Sequence, residues 1–263
     1  MASFSVVTNI SALNAQANLY TTSVGLRTAL TRVSSGYRIN SSGDDAAGLA
    51  VANRYRSEVA VLTQGVRNAN DGLSKLQIGD GALDNISRLL DRLATLATQA
   101  ASGTSDAISK ETLNAEFQDV VAEISREAEV AGFSGAPVDF SVYLAFNQTI
   151  GGAVSPVDAD SLGITGLDLT SDANAAVAAV QSAITTLGRS QAQVGQLQNR
   201  LSYAISLAQS QIVNNKAAES RIRDANIAEE SANLTRYSIL NQAGLAALAQ
   251  AQQQSAAVLA LLR

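Results

Sequence analysis

Leu83-Asp84-Asn85-Ile86-Ser87-Arg88-Leu89-Leu90-Asp91-Arg92-Leu93-Ala94-Thr95-Leu96-Ala97 sets apolar residues at 83, 86, 90, 93 and 97, steps of three and four that bring them to one side of an α-helix. The same rhythm runs upstream through Val59, Leu62, Val66, Ala69, Leu73 and Leu76. It returns in the other half of the chain as Val194, Leu197, Leu201, Ile205, Ala208 and Ile212. A stripe of this kind needs another helix to bury it. Both prolines, Pro137 and Pro156, lie mid-chain, so neither flank contains this helix breaker. The spacing predicts a mainly α protein: a long antiparallel helical bundle or coiled coil from both termini, with a small β element in the middle.

Composition narrows the chemistry. The 263 residues are 46% hydrophobic but only 4% aromatic, with no Trp, so the apolar content suits thin, close helix contacts. A net charge of −5 argues against nucleic acid or an anionic membrane as partner. There is no Cys and no His, which removes disulfides, thiolate chemistry, the commonest general base and the commonest metal ligand. No enzyme activity, cofactor or metal is expected. Met1-Ala2-Ser3-Phe4-Ser5-Val6-Val7-Thr8-Asn9-Ile10 has no basic segment before an apolar run, so it does not read as a cleavable secretory signal, and export would need another route.

Along the chain, a first helix is expected from about Asn9 to Ser34 with Leu13, Ala17, Tyr20 and Val24 on one seam. Ser34-Ser35-Gly36 ends it, and Asp44-Asp45 opens a second by accepting bonds from free backbone N–H groups. That helix is expected to reach about Ile78, pause at Gly79-Asp80-Gly81 and resume to about Ala100. A turn at Ser102-Gly103-Thr104-Ser105 leads to a third helix with Leu113, Phe117, Val120 and Ile124 on its seam. Between about 132 and 170, Val138-Asp139-Phe140-Ser141-Val142 alternates as a strand does, with Tyr143, Leu144 and Phe146 beyond. Gly151-Gly152 reads as a turn, and Leu162 to Leu169 as a second short strand. Ser171-Asp172 caps the next helix. A last helical stretch, from about Ala228 to Leu262, includes Gly244, about 1 kcal/mol worse than Ala in a helix interior, which predicts an end that orders only when something packs on it. Apolar seams at both ends predict that the terminal helices pair antiparallel.

Ser34-Ser35-Gly36-Tyr37-Arg38-Ile39-Asn40-Ser41-Ser42-Gly43-Asp44-Asp45-Ala46-Ala47-Gly48 and Arg67-Asn68-Ala69-Asn70-Asp71-Gly72 resemble the signature blocks of bacterial flagellins. Arg221-Ile222-Arg223-Asp224-Ala225-Asn226 and Gln242-Ala243-Gly244 through Leu259-Ala260-Leu261-Leu262-Arg263 resemble the C-terminus of that family. The resemblance covers about the first 135 residues and the last 90, and several blocks in the right order are more specific than one motif.

The resemblance implies a self-assembling subunit of the flagellar filament, a short form lacking the large central surface domains. Terminal segments 1–43 and 224–263 would form an inner tube, and 44–223 a helical outer-tube domain containing the β segment at about 132–170. It implies export in unfolded form by the flagellar type III apparatus and a secreted, extracellular location. The partners implied are other copies of the chain, an export chaperone on the C-terminal helix, and the filament cap and hook-junction proteins. Arg38, Asn40, Asp44 and Asp45 in the first signature block, Asn68, Asn70 and Asp71 in the second, and Arg54 between the two are implied as signature or assembly residues; Asp44 and Asp45 read as caps or intersubunit contacts rather than a metal or acid–base pair. Leu13, Tyr20, Val24, Leu234, Leu245, Leu248 and Leu262 would pack in the inner tube. Arg92, Leu96 and Glu116 stand where the innate immune receptor TLR5 contacts related flagellins, although Ala94 and Thr95 replace charged residues of the usual motif. The alternatives are a hook–filament junction protein within the family and, from a different class, a helical secreted effector.

Overall fold

The computed structural model describes residues 8–102, 106–145 and 148–261, with side-chain surroundings as far as 253. Five helices and two strands occur among them: α1 Ile10–Ser35, α2 Ala46–Ala101, α3 Ala107–Ala131, β1 Val138–Ala145, β2 Gln148–Val154, α4 Ala173–Arg223 and α5 Ile227–Leu261. They form two compact units, Met1–Ser57 with Asn215–Arg263, and Glu58–Asn214; α2 and α4 contribute residues to both.

The second unit holds the large core. Leu83, Ile86, Leu90, Leu93 and Ala97 are wholly buried, joined by Leu62, Ala69 and Leu76 from α2, Phe117 and Ile124 from α3, and Val194, Leu197, Leu201 and Ala208 from α4. The spacing that predicted helices thus also marks the faces they bury. Side-chain caps start each helix there: Asp106 Oδ1 accepts from the Ser109 N–H and Asp172 Oδ1 from that of Ala175, both at 2.9 Å. The Ser109 hydroxyl and, after it, the Ser109 N–H hold the Asp106 carboxyl below the usual aspartate range. Asn85 on α2 donates to Glu127 on α3 at 2.9 Å, and Arg92 pairs with Glu116, so the two helices run antiparallel.

Three expectations change. The pause at Gly79-Asp80-Gly81 is absent, and α2 is one helix of 56 residues. Gly79 serves packing instead: a Cβ there would lie 2.7 Å from the Phe133 ring. Gly151-Gly152 is not a turn but lies inside β2, which pairs antiparallel with β1 through Val138↔Val154, Phe140↔Gly152 and Val142↔Ile150. A side chain at 152 would meet Leu197 of α4 at 3.0 Å, so glycine permits the strand to lie that close. Residues Leu162 to Leu169 form turns, not a strand. Gly163 and Gly166 there adopt φ of +71° and +72°, outside the extended backbone of a regular strand, while Leu162, Ile164 and Leu169 still fill the core. Gln118 Nε2 and Asn114 Oδ1 satisfy the backbone at Leu167 and Leu169 that a neighbouring strand would otherwise serve.

The hairpin rests on a glycine track. Gly65, Gly72 and Gly79 recur every seven residues on α2 and all are buried. A Cβ on Gly65 would sit 1.7 Å from the Leu144 carbonyl oxygen, and one on Gly72 would strike Val142 and Phe140 at 2.8 and 2.9 Å. Hairpin backbone therefore seats directly on α2 at Gly65, while the side chains of Val142 and Phe140 take the space at Gly72 and that of Phe133, ahead of β1, the space at Gly79.

Candidate assembly interface

The first unit is built on the pairing of α1 with α5. Asn9 caps α1, its Oδ1 accepting from the Ala12 N–H at 3.1 Å, while its Nδ2 donates to the Ala251 carbonyl at 2.7 Å. Further along, Leu19 Cδ1 lies 3.1 Å from where Gly244 would carry a Cβ, and the Tyr237 ring 2.7 Å from the corresponding point at Gly25. Arg32 Nη1 meets Glu230 Oε1 at 3.0 Å. These four contacts run in opposite directions along the two helices, so α1 and α5 are antiparallel, as their apolar seams predict. Gly244 is accordingly a point of close approach within a formed helix, and α5 does not stop short of it.

The face that α1 turns to α5 differs from the expected seam. Leu19, Leu26, Ala29 and Val33 turn inward with Gly25, and Ala29 is the one fully buried residue of the helix. Leu13 is 55% and Tyr20 69% exposed, with Val24 and Leu30 exposed beside them. Both faces carry steps of three and four; the one with small residues fits the narrow gap set by the Tyr237 ring. On α5, Leu234 and Leu248 are half-buried, while Ile239, Leu240 and Leu245 are exposed. Leu262 lies outside the described residues, as do Gly103 to Ser105 and Phe146. In contrast with the second unit, buried apolar residues here are confined to Ala29, Ile39 and Ala52 among the described positions. Residues 1–26 and 237–262 contain no Asp, Glu, Lys or Arg, and the α1–α5 contacts set residues 9–25 of the first stretch against residues 237–251 of the second.

The segment between α1 and α2 is clamped. Asp44 turns back on its own loop: Oδ2 accepts from the N–H groups of Ser41 and Asn40 and from the Ser41 hydroxyl, at 2.9, 3.1 and 3.1 Å. Those bonds, that of the Ser41 N–H first, hold its carboxyl below the usual aspartate range. Asp45 is the cap of α2, accepting from the Gly48 N–H at 2.9 Å. The Arg38 N–H donates to the Arg223 carbonyl at 2.7 Å and its Nη2 to that of Ile222 at 2.9 Å, so Arg38 ties this loop to the α4–α5 junction. The Arg223 guanidinium stacks 4.1 Å over the Tyr37 ring, and Ile39 is buried below. Arg54 lies over Tyr55 at 5.7 Å.

In the second unit, Asn68 accepts from Gln64 Nε2 and donates to the Tyr143 carbonyl, so this signature residue holds β1. Asn70 and Asp71 are exposed. Arg92 and Glu116 are paired with each other at the surface, whereas Leu96 is 1% exposed. Leu96 is therefore a helix-packing residue in the single chain and not a surface contact. Sequence reasoning passed over Tyr37, Arg223, the glycine track and the α4 side chains that grip β2. Only the glycines left a signal, in their sevenfold spacing. Among the described residues no three acidic side chains gather as a metal site, and no helix is long and apolar enough to cross a membrane.

Residues 6–138 match the bacterial flagellin N-terminal helical region, and residues 177–262 match the bacterial flagellin C-terminal helical region. The chain belongs to the bacterial flagellin family. It is similar to the flagellin of Halalkalibacterium halodurans, 36% identical over 97% of this chain and 98% of the relative. It is 34% identical, over the same shares, to the flagellar filament 33 kDa core protein of Treponema phagedenis. Among solved structures, the crystal structure of Bacillus cereus flagellin matches 58% of this chain and 94% of that one, at 29% identity and a TM-score of 0.47. The first family region spans α1 to α3 and reaches β1, and the second spans most of α4 and α5. The β hairpin and the turns after it fall largely between the two flagellin regions.

Proposed function

We propose that this chain is a structural subunit that self-assembles into the bacterial flagellar filament and serves swimming motility. The observation that carries this reading is the unfinished burial of the first unit. Leu13, Tyr20, Val24 and Leu30 on α1, with Ile239, Leu240 and Leu245 on α5, leave large apolar surface in water around only three buried apolar residues among the described positions, while the second unit, although it too exposes Ile78, Ile108 and Val213, holds the large core cluster. Each such side chain gains roughly 1.5–3 kcal/mol when fully buried, and the surfaces that would bury them are those of further copies. A contact between unlike surfaces that does not close into a ring repeats into an open helix.

In this reading residues 1–43 and 224–263 form the inner tube, and 44–223 the surrounding helical domain. The subunit leaves the cell unfolded through the flagellar type III apparatus, a passage that suits a chain with no Cys to crosslink, and its place is the extracellular filament. An export chaperone holds the C-terminal helix before assembly, and the cap and hook-junction proteins bound the growing polymer. Arg92 and Glu116 form the exposed part of a contact with TLR5; Arg92→Ala is expected to lower signalling in a receptor reporter cell, and unchanged signalling would remove that partner.

Electron microscopy tests the central claim. The chain is dissociated in acid, returned to neutral pH with salt and offered short filament seeds. Long tubes with a narrow axial channel are expected; monomers under every seeded condition would overturn the reading.

A further inference from the structure

The sheet has two strands, so each is an edge. Alternate residues of an antiparallel strand aim their N–H and C=O groups away from the partner, and such a row is a template for a strand of another chain. Charge and proline commonly blunt edges, yet β2, Gln148-Thr149-Ile150-Gly151-Gly152-Ala153-Val154, has neither. Side chains of α4 occupy it instead. Arg200 Nη1 donates to the Gly151 carbonyl at 3.1 Å. Just past the strand, Gln193 Oε1 accepts from the Ser155 N–H at 2.9 Å and the buried Ser190 hydroxyl donates to the Ser155 carbonyl at 3.3 Å. Of these three only Arg200 carries charge, and it is exposed. The β1 edge is interrupted differently, by Asn68 on the Tyr143 carbonyl and by a register shift between Tyr143 and Ala145.

We propose that Arg200 is a specificity-determining residue for assembly, whose guanidinium blocks the β2 edge against strand addition by a second copy of this chain. The inference rests on the filament reading for its purpose, since a polymer of this chain concentrates β2 edges and strand pairing would compete with helix pairing. A charged side chain seated on an outward carbonyl makes an incoming strand both break a charge-assisted hydrogen bond and bury a cation, which disfavours that route.

The test compares the full chain with Arg200→Ala, Arg200→Lys and Arg200→Ala/Thr149→Lys by thioflavin fluorescence and amide I infrared spectroscopy. Arg200→Ala should form intermolecular β structure at a roughly five- to tenfold lower concentration, the loss of one hydrogen bond of ordinary net strength at an exposed site. Arg200→Lys should stay near the parent, and Lys at 149 should restore resistance by placing charge on the edge itself, which a purely structural role for Arg200 would not allow. Ile124→Val, a core change without effect on the edge, controls for general destabilisation. Aggregation of Arg200→Ala no greater than that of Ile124→Val, or no rescue by Thr149→Lys, would overturn the proposal. Seed extension by the same parent preparation separates the two readings: its failure counts against the filament, while the aggregation comparison decides the edge.

Discussion

At Gly65 the space for a side chain is already taken by the Leu144 carbonyl oxygen, a backbone atom that moves only with its whole strand. Gly65→Ala should therefore lift the hairpin from α2 and lower unfolding stability by roughly 1–3 kcal/mol, the range of overpacked sites. Gly81, sixteen positions on in the same helix, has open space where its Cβ would be. Gly81→Ala should instead stabilise by up to about 1 kcal/mol. Chemical denaturation of the two variants makes the comparison. The repeat of Gly65, Gly72 and Gly79 was present in the sequence, but a helical glycine reads as a break because the sequence does not show what lies opposite. Asp44 illustrates the same blindness: its position suited a helix cap, a role that fell to Asp45 one residue later. Because the Ser41 and Asn40 N–H groups depress the Asp44 pKa on folding, its contribution is full above the unfolded value of about 3.9. It is lost as the pH falls through the lower folded value. Amide protection at Asn40 and Ser41 should drop in that acid range, and Asp44→Asn should abolish the pH dependence.

Two helices with similar apolar spacing behave oppositely as elements. The α2 stripe through Leu83, Ile86, Leu90 and Leu93 is buried within its own unit, whereas the α1 stripe through Leu13, Tyr20 and Val24 faces out. Leu90→Ala should cost the single chain about 3 kcal/mol, as large-to-small core changes do. Leu13→Ala should change monomer stability by less than about 0.5 kcal/mol yet impair seed extension; equal effects of the two on monomer unfolding would contradict this division. Helix existence was legible throughout because the period is long and sustained. The facing of α1 was not, since 13-17-20-24 and 15-19-22-26-29-33 both obey it, and the Tyr237 ring at Gly25 with Leu19 at Gly244 decides between them. The second strand was misplaced for a related reason. Leu162 to Leu169 is as apolar as a buried strand, but Gly163 and Gly166 turn its backbone while the core claims its side chains.

For the molecule as a whole, burial is unevenly divided: the core cluster lies within residues 62–208, and the first unit's buried apolar residues among the described positions, Ala29, Ile39 and Ala52, lie outside it. Deleting residues 234–263, which removes most of α5, should leave a soluble chain whose second unit unfolds in one cooperative calorimetric transition and which forms no filaments. A broad, non-cooperative transition would show that the core depends on the terminal pair. The candidate interface was legible in outline, because apolar seams running through both ends leave no room for a conventional globule around them. Its chemical character follows from the charge-free stretches that α1 and α5 bring together. Counterions screen only charges, so the contacts that set residues 9–25 against 237–251 offer them nothing to screen. Sodium chloride should leave those contacts unmoved, while sulfate, excluded from apolar surface, should tighten them; the response of the α1–α5 pairing to salt would then depend on which anion is added rather than on ionic strength.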